Sequence, residues 1–207
     1  MAALSVLRAR VRNNVGGRTD KDAIIDTLIN NVLNDVSRKM RFNDLMSMDS
    51  SLELDTDDYS VALPDTIRLV EVVKLLRDSQ TSYDPVKVLD RQTFRDYNAG
   101  EMAPTTSGTP TMCYIAGRTL YFNMKSDADD TVIWLDTFIY PVDMSDDADT
   151  PSVIGIDELI VALATSRFYM HLKQPAEAKE WAGLASMIAS STLDEVVGPP
   201  VDHLEPS

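Results

Sequence analysis

The stretch Ser107-Gly-Thr-Pro-Thr-Met-Cys-Tyr-Ile-Ala-Gly-Arg-Thr-Leu-Tyr-Phe-Asn-Met124 reads as a tight hairpin delivered by a loop. Met112 to Ile115 and Leu120 to Met124 supply the two strands. The turn Ala116-Gly117-Arg118-Thr119 joins them, and Gly117 can take the positive φ that short hairpin turns require. Amphipathic helical segments flank this region on both sides, so a β module is set inside a helical protein. Cys113 falls in the first strand, among Met112, Tyr114 and Ile115, which is a packed setting and not the exposed, electropositive one of a reactive thiol.

Working outward, the sheet resumes at Thr131 to Tyr140, where Val132, Ile133, Trp134, Leu135, Phe138 and Ile139 put apolar groups on both faces and call for cover on each side. Ser51–Leu54 and Tyr59–Leu63 read as strands about the acidic turn Asp55–Asp58, with Pro64 closing the second. Ile67–Leu76 has a length that leaves a short helix open, and Val70, Val72 and Val73 favour a further strand; Val86–Leu89 reads as a short strand and Arg91–Tyr97 as a short helix. Asn98 to Pro110 carries Gly, Pro, Ser and Thr without periodicity and predicts an exposed loop.

Four main helices surround this module. Ala3 to Asn13 forms a short one, stopped by Val15-Gly16-Gly17. Thr19-Asp20-Lys21-Asp22 has the hydroxyl-x-x-acid pattern of a helix start. Behind it, Ile25, Leu28, Ile29, Val32, Leu33, Val36 and Met40 form a core stripe, while Asp26, Asn30, Asn34, Asp35 and Arg38 leave a polar face for solvent or a partner. After the acidic run Asp143–Asp149, one helix carries Ile156, Leu159, Ile160, Leu163, Ala164 and Phe168 on a stripe. A second is entered at Pro175 and carries Ala178, Trp181, Leu184, Ala185 and Ile188. From Asp194 the three prolines of the last residues predict an extended tail.

The expected fold is therefore α+β: a helical bundle of about four main helices with an inserted small antiparallel β-sheet or sandwich module and an extended C-terminal tail. Residues 1–48 supply the N-terminal helical part, 49–145 the β-rich insertion, 146–194 the helical pair completing the bundle and 195–207 the tail.

Composition narrows the function classes. A net charge of −14 repels phosphate backbones and argues against tight nucleic-acid binding. The single cysteine points to a reducing compartment. Residues 1–12 lack the apolar run of a secretion signal, and nowhere is there an apolar stretch of membrane-spanning length. His171 and His203 lack the spacing of a zinc site, and Gly16-Gly17 lacks the rest of a phosphate loop. The acidic clusters Asp55–Asp58, Asp127–Asp130 and Asp143–Asp149 lack the glycine and closing glutamate of an EF-hand and read as solvated turns. Tyr114, Tyr121, Phe122 and Trp134 have no interleaved Lys or Arg and read as sheet core, not as a base-stacking platform. No catalytic centre, cofactor or metal is expected.

The order of parts resembles the head-to-tail adaptor, or connector, proteins of tailed bacteriophages. A short and a longer helix precede Tyr59-Ser-Val-Ala-Leu63-Pro64-Asp65, which matches the family's Tyr-x-Leu-Pro followed by an acid with one residue more than usual. Gly108-Thr-Pro110, Tyr114, Gly117 and Leu120–Phe122 follow, then Phe138-Ile-Tyr-Pro141, and then a helical pair carrying Ala162, Ala164 and Trp181. The family's Pro-x-Pro is replaced by Asn123-Met-Lys125. The likeness spans about residues 1–192.

The resemblance implies a structural virion protein in the neck, assembled in the host cytoplasm. It implies a ring, usually of twelve copies, that binds the portal and tail, nozzle or stopper proteins while genomic DNA passes through without tight binding and no membrane takes part. It points to Val196, Val197, Pro199, Pro200, Val201, His203 and Leu204 as portal-binding, and to Gly100, Pro104, Gly108 and Pro110 as a contact loop for tail components or neighbours. Two rival classes are an acidic virion-associated hydrolase and an acidic decoy for a DNA-binding protein. The decoy requires carboxylates in a long row on one face, whereas here they concentrate at turns.

Overall fold

The computed structural model describes residues 1–77, 80–98 and 103–196, with side chains as far as Ser191. The chain divides into two compact units, Met1–Leu45 with Tyr140 onward, and Met46–Ile139.

The first unit is helical: α1 (Leu4–Asn14), α2 (Asp22–Lys39), α4 (Asp157–His171) and α5 (Pro175–Val196). Leu4, Leu7 and Val11 of α1, Ile25, Ile29 and Leu33 of α2 and Phe168 of α4 are fully or almost fully buried. The apolar steps of three and four residues thus become one core. α1 ends where expected: Gly16 and Gly17 take φ of 83° and 76°, and the Gly17 amide donates to the Arg12 carbonyl at 2.8 Å. α4 is buried on more than a stripe, since Val161, Ala162, Thr165 and Ser166 are also covered. It is the central helix, touching α1, α2 and α5.

Two expectations about α2 need correction. A short 3₁₀ turn, Thr19–Lys21, precedes it and no side chain caps it; the Asp22 carboxylate instead accepts from Arg12. Nor is its polar face left for a partner. Asp26 takes a two-pronged bond from Arg8, at 2.7 and 2.8 Å, and Asp35 accepts from Arg167 at 2.6 Å. Asn30 exchanges two 2.9 Å bonds with the Met144 backbone, and Asn34 donates to Asp143 at 2.9 Å. The acidic run is therefore a stitched strap and not a free turn. It also serves α1, which has no side-chain cap: Leu4 N donates to the Asp149 carbonyl at 2.7 Å and Ser5 N to that of Asp147 at 3.2 Å.

Arg8 joins the strap to both helices, because its Nη1 donates to Asp147 at 2.7 Å while the rest of its fork holds Asp26. These carboxylates, Asp26 first, raise the guanidinium pKa further, so the bridge persists as pH rises through any accessible value. Arg8→Ala leaves the half-buried Asp26 without its cation and is expected to cost about 2 kcal/mol, read as a lower urea midpoint with an unchanged slope.

The second unit corrects the expected fold class. In place of a small antiparallel insertion in a four-helix bundle, Met46–Ile139 forms a mixed, nearly closed, barrel-like sheet of seven strands with its own helix, giving five helices in the described chain. The strands are β1 (Met46–Leu54), β2 (Ser60–Ala62), β3 (Ile67–Leu76), β4 (Asp84–Leu89), β5 (Met112–Ala116), β6 (Thr119–Phe122) and β7 (Thr131–Ile139), with α3 (Arg91–Tyr97) between β4 and β5. Their order is β1-β7-β3-β4-β5-β6-β2. The terminal strands β1 and β2 are consecutive in the chain through the Asp55–Tyr59 turn, which brings the sheet back on itself.

β4 makes the corner. It pairs antiparallel with β3 through Asp84–Val86 and parallel with β5 through Lys87–Leu89. A parallel pair needs a crossover, and α3 with the loop after it provides one. Asp90 caps α3 by accepting from the Gln92 and Thr93 amides at 3.0 Å, and these bonds, the Thr93 hydroxyl first, hold its carboxyl below the usual range. Register shifts at Asp49–Leu52 on β1 and at Ile67–Leu69 and Val70–Val72 on β3 supply the coiling a closing sheet requires.

One face of β7 fills the barrel interior, with Thr131, Ile133, Leu135 and Thr137 buried; on the other face Val132, Trp134 and Asp136 are half-buried and Phe138 is buried, so this strand has cover on both sides, complete only at its Phe138 end. Leu54, Val73, Leu75, Cys113, Leu120, Phe122, Ile133 and Leu135 fill the inside with no exposed surface. The hairpin forms as expected, with Gly117 at φ 61°.

Candidate functional site

Cys113 is wholly buried in the barrel and desolvation pushes its thiol up to about 12. It is therefore expected to resist a disulfide-exchange reagent such as DTNB at pH 8 in the native protein and to react at once in guanidinium; rapid labelling of the native form contradicts this placement. His171 is exposed at the end of α4, with its ring 6.4 Å from that of Phe168. Among the described residues no group of three His, Cys, Asp or Glu is placed to hold a metal ion.

The acidic clusters act as turn acceptors. The Thr56 hydroxyl first, and then the Thr56 amide, from which Asp129 accepts at 3.0 Å, lower the Asp129 pKa; Asp149 accepts from the Asp146 and Ser145 amides, both at 2.8 Å, and is lowered by them. No helix of the described residues is long and apolar enough to cross a membrane.

The aromatic residues are structural pairs. Tyr114 lies beneath α3 with its ring centroid 4.5 Å from Phe94, and Tyr121 stacks on its other side at 5.0 Å and 14°. Phe122 is inside the barrel. Trp134 meets Tyr83 edge-on at 5.2 Å and donates to Asp136 at 3.1 Å.

What remains is surface. Of the contact loop, Pro104 lines a cleft of about 150 Å³ with Asn98, Thr106 and Asn123. Gly108 is tied by its amide to the Lys125 carbonyl at 2.9 Å, and a Cβ there would come within 3.2 Å of the Met124 sulfur. Pro110 is buried, so Ala103–Ser107 is the more exposed part. Gly100 lies outside the described residues. Of the residues assigned to portal binding, Val196 ends α5, two residues beyond where the sequence placed the helix limit. Val197, Pro199, Pro200, Val201, His203 and Leu204 lie outside the described residues.

Sequence periodicity placed Ala178, Trp181, Leu184, Ala185 and Ile188 on one buried stripe of α5. Only Ala178 and Ala185 are buried; Ser166 donates to the Ala178 carbonyl at 2.7 Å, and these small residues let α5 lie close to α4. Trp181, Leu184 and Ile188 instead flank a groove of about 340 Å³ walled by α1, α4 and α5. The alanines at seven-residue spacing were the available signal, since they mark the narrow side of the helix.

Residues 1–201 match the family model described as SU10 adaptor protein, and the chain belongs to that family, one of bacteriophage head–tail adaptors. No curated protein matches it.

Proposed function

We propose that this chain is the subunit of a ring, of twelve copies, that stacks beneath the phage portal in the virion neck, carries the tail proteins on its other side and continues the DNA channel. The family match over residues 1–201 carries the reading. The charge of −14 per subunit suits a conduit, because an acidic bore repels the DNA phosphates and lets the genome slide. Val196, Val197, Pro199, Pro200, Val201, His203 and Leu204 form the portal-binding element. The loop containing Gly100, Pro104, Gly108 and Pro110 meets tail components or neighbouring copies. The protein works through these contacts and not by catalysis.

Virions produced without this protein are expected to lose their packaged genome and to lack tails. Full, normally tailed particles from that deletion overturn the reading.

A further inference from the structure

Met46–Ile139 has the features of a segment that folds unaided. It is one continuous stretch of roughly ninety residues, within the size range of domains that fold alone, whereas the helical unit is drawn from two stretches, Met1–Leu45 and Tyr140 onward. Its first and last strands are neighbours. Met46 of β1 faces Phe138 of β7 across an antiparallel pair, which places their Cα atoms about 5 Å apart. Ends that meet in this way are what an inserted domain requires, since the chain enters and leaves it at one place.

The core of the segment is also its own. The buried apolar residues of the interior, Leu54, Val73, Leu75, Leu120, Ile133 and Leu135 among them, all come from within it. So do main-chain bonds that fasten the sheet beyond its ladders. The Asp57 amide donates to the Ser126 carbonyl at 2.9 Å and the Ser126 amide to the Asp58 carbonyl at 2.8 Å, which holds the β1–β2 turn to the chain leading into β7. The Leu63 amide donates to the Arg118 carbonyl at 2.8 Å and ties the end of β2 to the hairpin turn. One shared interior makes the seven strands a cooperative set, because no strand buries its inner face without the others.

We infer that the barrel is a separate cooperative folding unit, which keeps its structure when the helical unit is loosened, rearranged or melted. This confines any restructuring of the helices to the helical unit and leaves the surface of the barrel intact.

The test uses the full chain and its two tryptophans, Trp134 on β7 in the barrel and Trp181 on α5 in the helical unit. With Trp181→Phe as background, emission reports the barrel; with Trp134→Phe, it reports the helical unit. Urea unfolding is followed in each background for the parent, for Ile29→Ala in the buried stripe of α2 and for Leu135→Ala in the barrel interior. Ile29→Ala is expected to lower the Trp181 midpoint by about 1–2 M and to leave the Trp134 midpoint unmoved, while Leu135→Ala lowers the Trp134 midpoint by a similar amount. Should Ile29→Ala prevent the helical unit from folding at all, the Trp134 midpoint still stands at its parental value. Reaction of the buried Cys113 thiol with DTNB across the same urea range follows the Trp134 curve and is likewise insensitive to Ile29→Ala. A Trp134 midpoint or a Cys113 reactivity that moves with Ile29→Ala overturns the inference, as does a single common midpoint that shifts equally for both substitutions. No portal takes part in these measurements, so their outcome is independent of the proposed ring.

Discussion

A chain ending at Val196 is expected to lose attachment to the portal altogether while keeping its far-UV circular dichroism. The two units are built by residues up to α5, and Ala185, the last buried residue of α5 among those described, lies eleven positions before the cut. What the truncation removes is Val197, Val201 and Leu204 spaced among Pro199, Pro200 and Pro206. Each proline has its φ already fixed, so laying this segment along a portal groove loses less conformational freedom than ordering an ordinary tail. The measurement is co-migration with the cognate portal in gel filtration or a pull-down. Unchanged affinity of the shortened chain refutes the assignment of Val196–Leu204 to portal binding.

The largest stability effect is expected inside the barrel. Leu135 has no exposed surface, lies opposite Val73 on β3 and Asp49 on β1, and shares the interior with Leu54, Phe122 and Ile133. Leu135→Asp removes that packing and leaves a carboxyl without a partner in an apolar interior. The penalty is several kcal/mol, comparable with the whole stability of a typical domain of about 5–15 kcal/mol. Limited proteolysis should then cut within Met46–Ile139 much faster than in the parent chain. Equal resistance in the variant contradicts the placement of Leu135 at the centre of a closed sheet.

The parts of this fold legible in the sequence are those with a long, uninterrupted period. The run from Ile25 to Val36, the valines of β3 and the apolar series of β7 each announce their element, and Gly117 announces the hairpin turn. Half of β1 is not legible because the alternation of Met46 and Met48, both exposed, stops at Asp49-Ser-Ser, where the register shift before Leu52 breaks the period of two. The barrel itself is not legible because closure depends on strand order. That β4 pairs with β3 by one half and with β5 by the other is a long-range fact with no local signature.

Polar residues misled for a similar reason. Asp26, Asn30, Asn34 and Asp35 have the spacing of a solvated helix face, yet Asp26 pairs with Arg8 on the preceding helix, and Met144, Asp143 and Arg167, the partners of Asn30, Asn34 and Asp35, stand more than a hundred residues away. On α5, periodicity identified the face but not which of its members would be covered. Alanines reach α4 and leave the larger Trp181, Leu184 and Ile188 at the groove.

We propose that this chain works by stacking as a ring on a portal, and electron microscopy of the purified full-length protein mixed with its cognate portal tests it most directly. A second ring of density is expected coaxial with the portal, twelvefold in averaged end views and absent when the adaptor is omitted. Portals that remain bare at saturating adaptor, or that carry single scattered copies without a closed ring, contradict it.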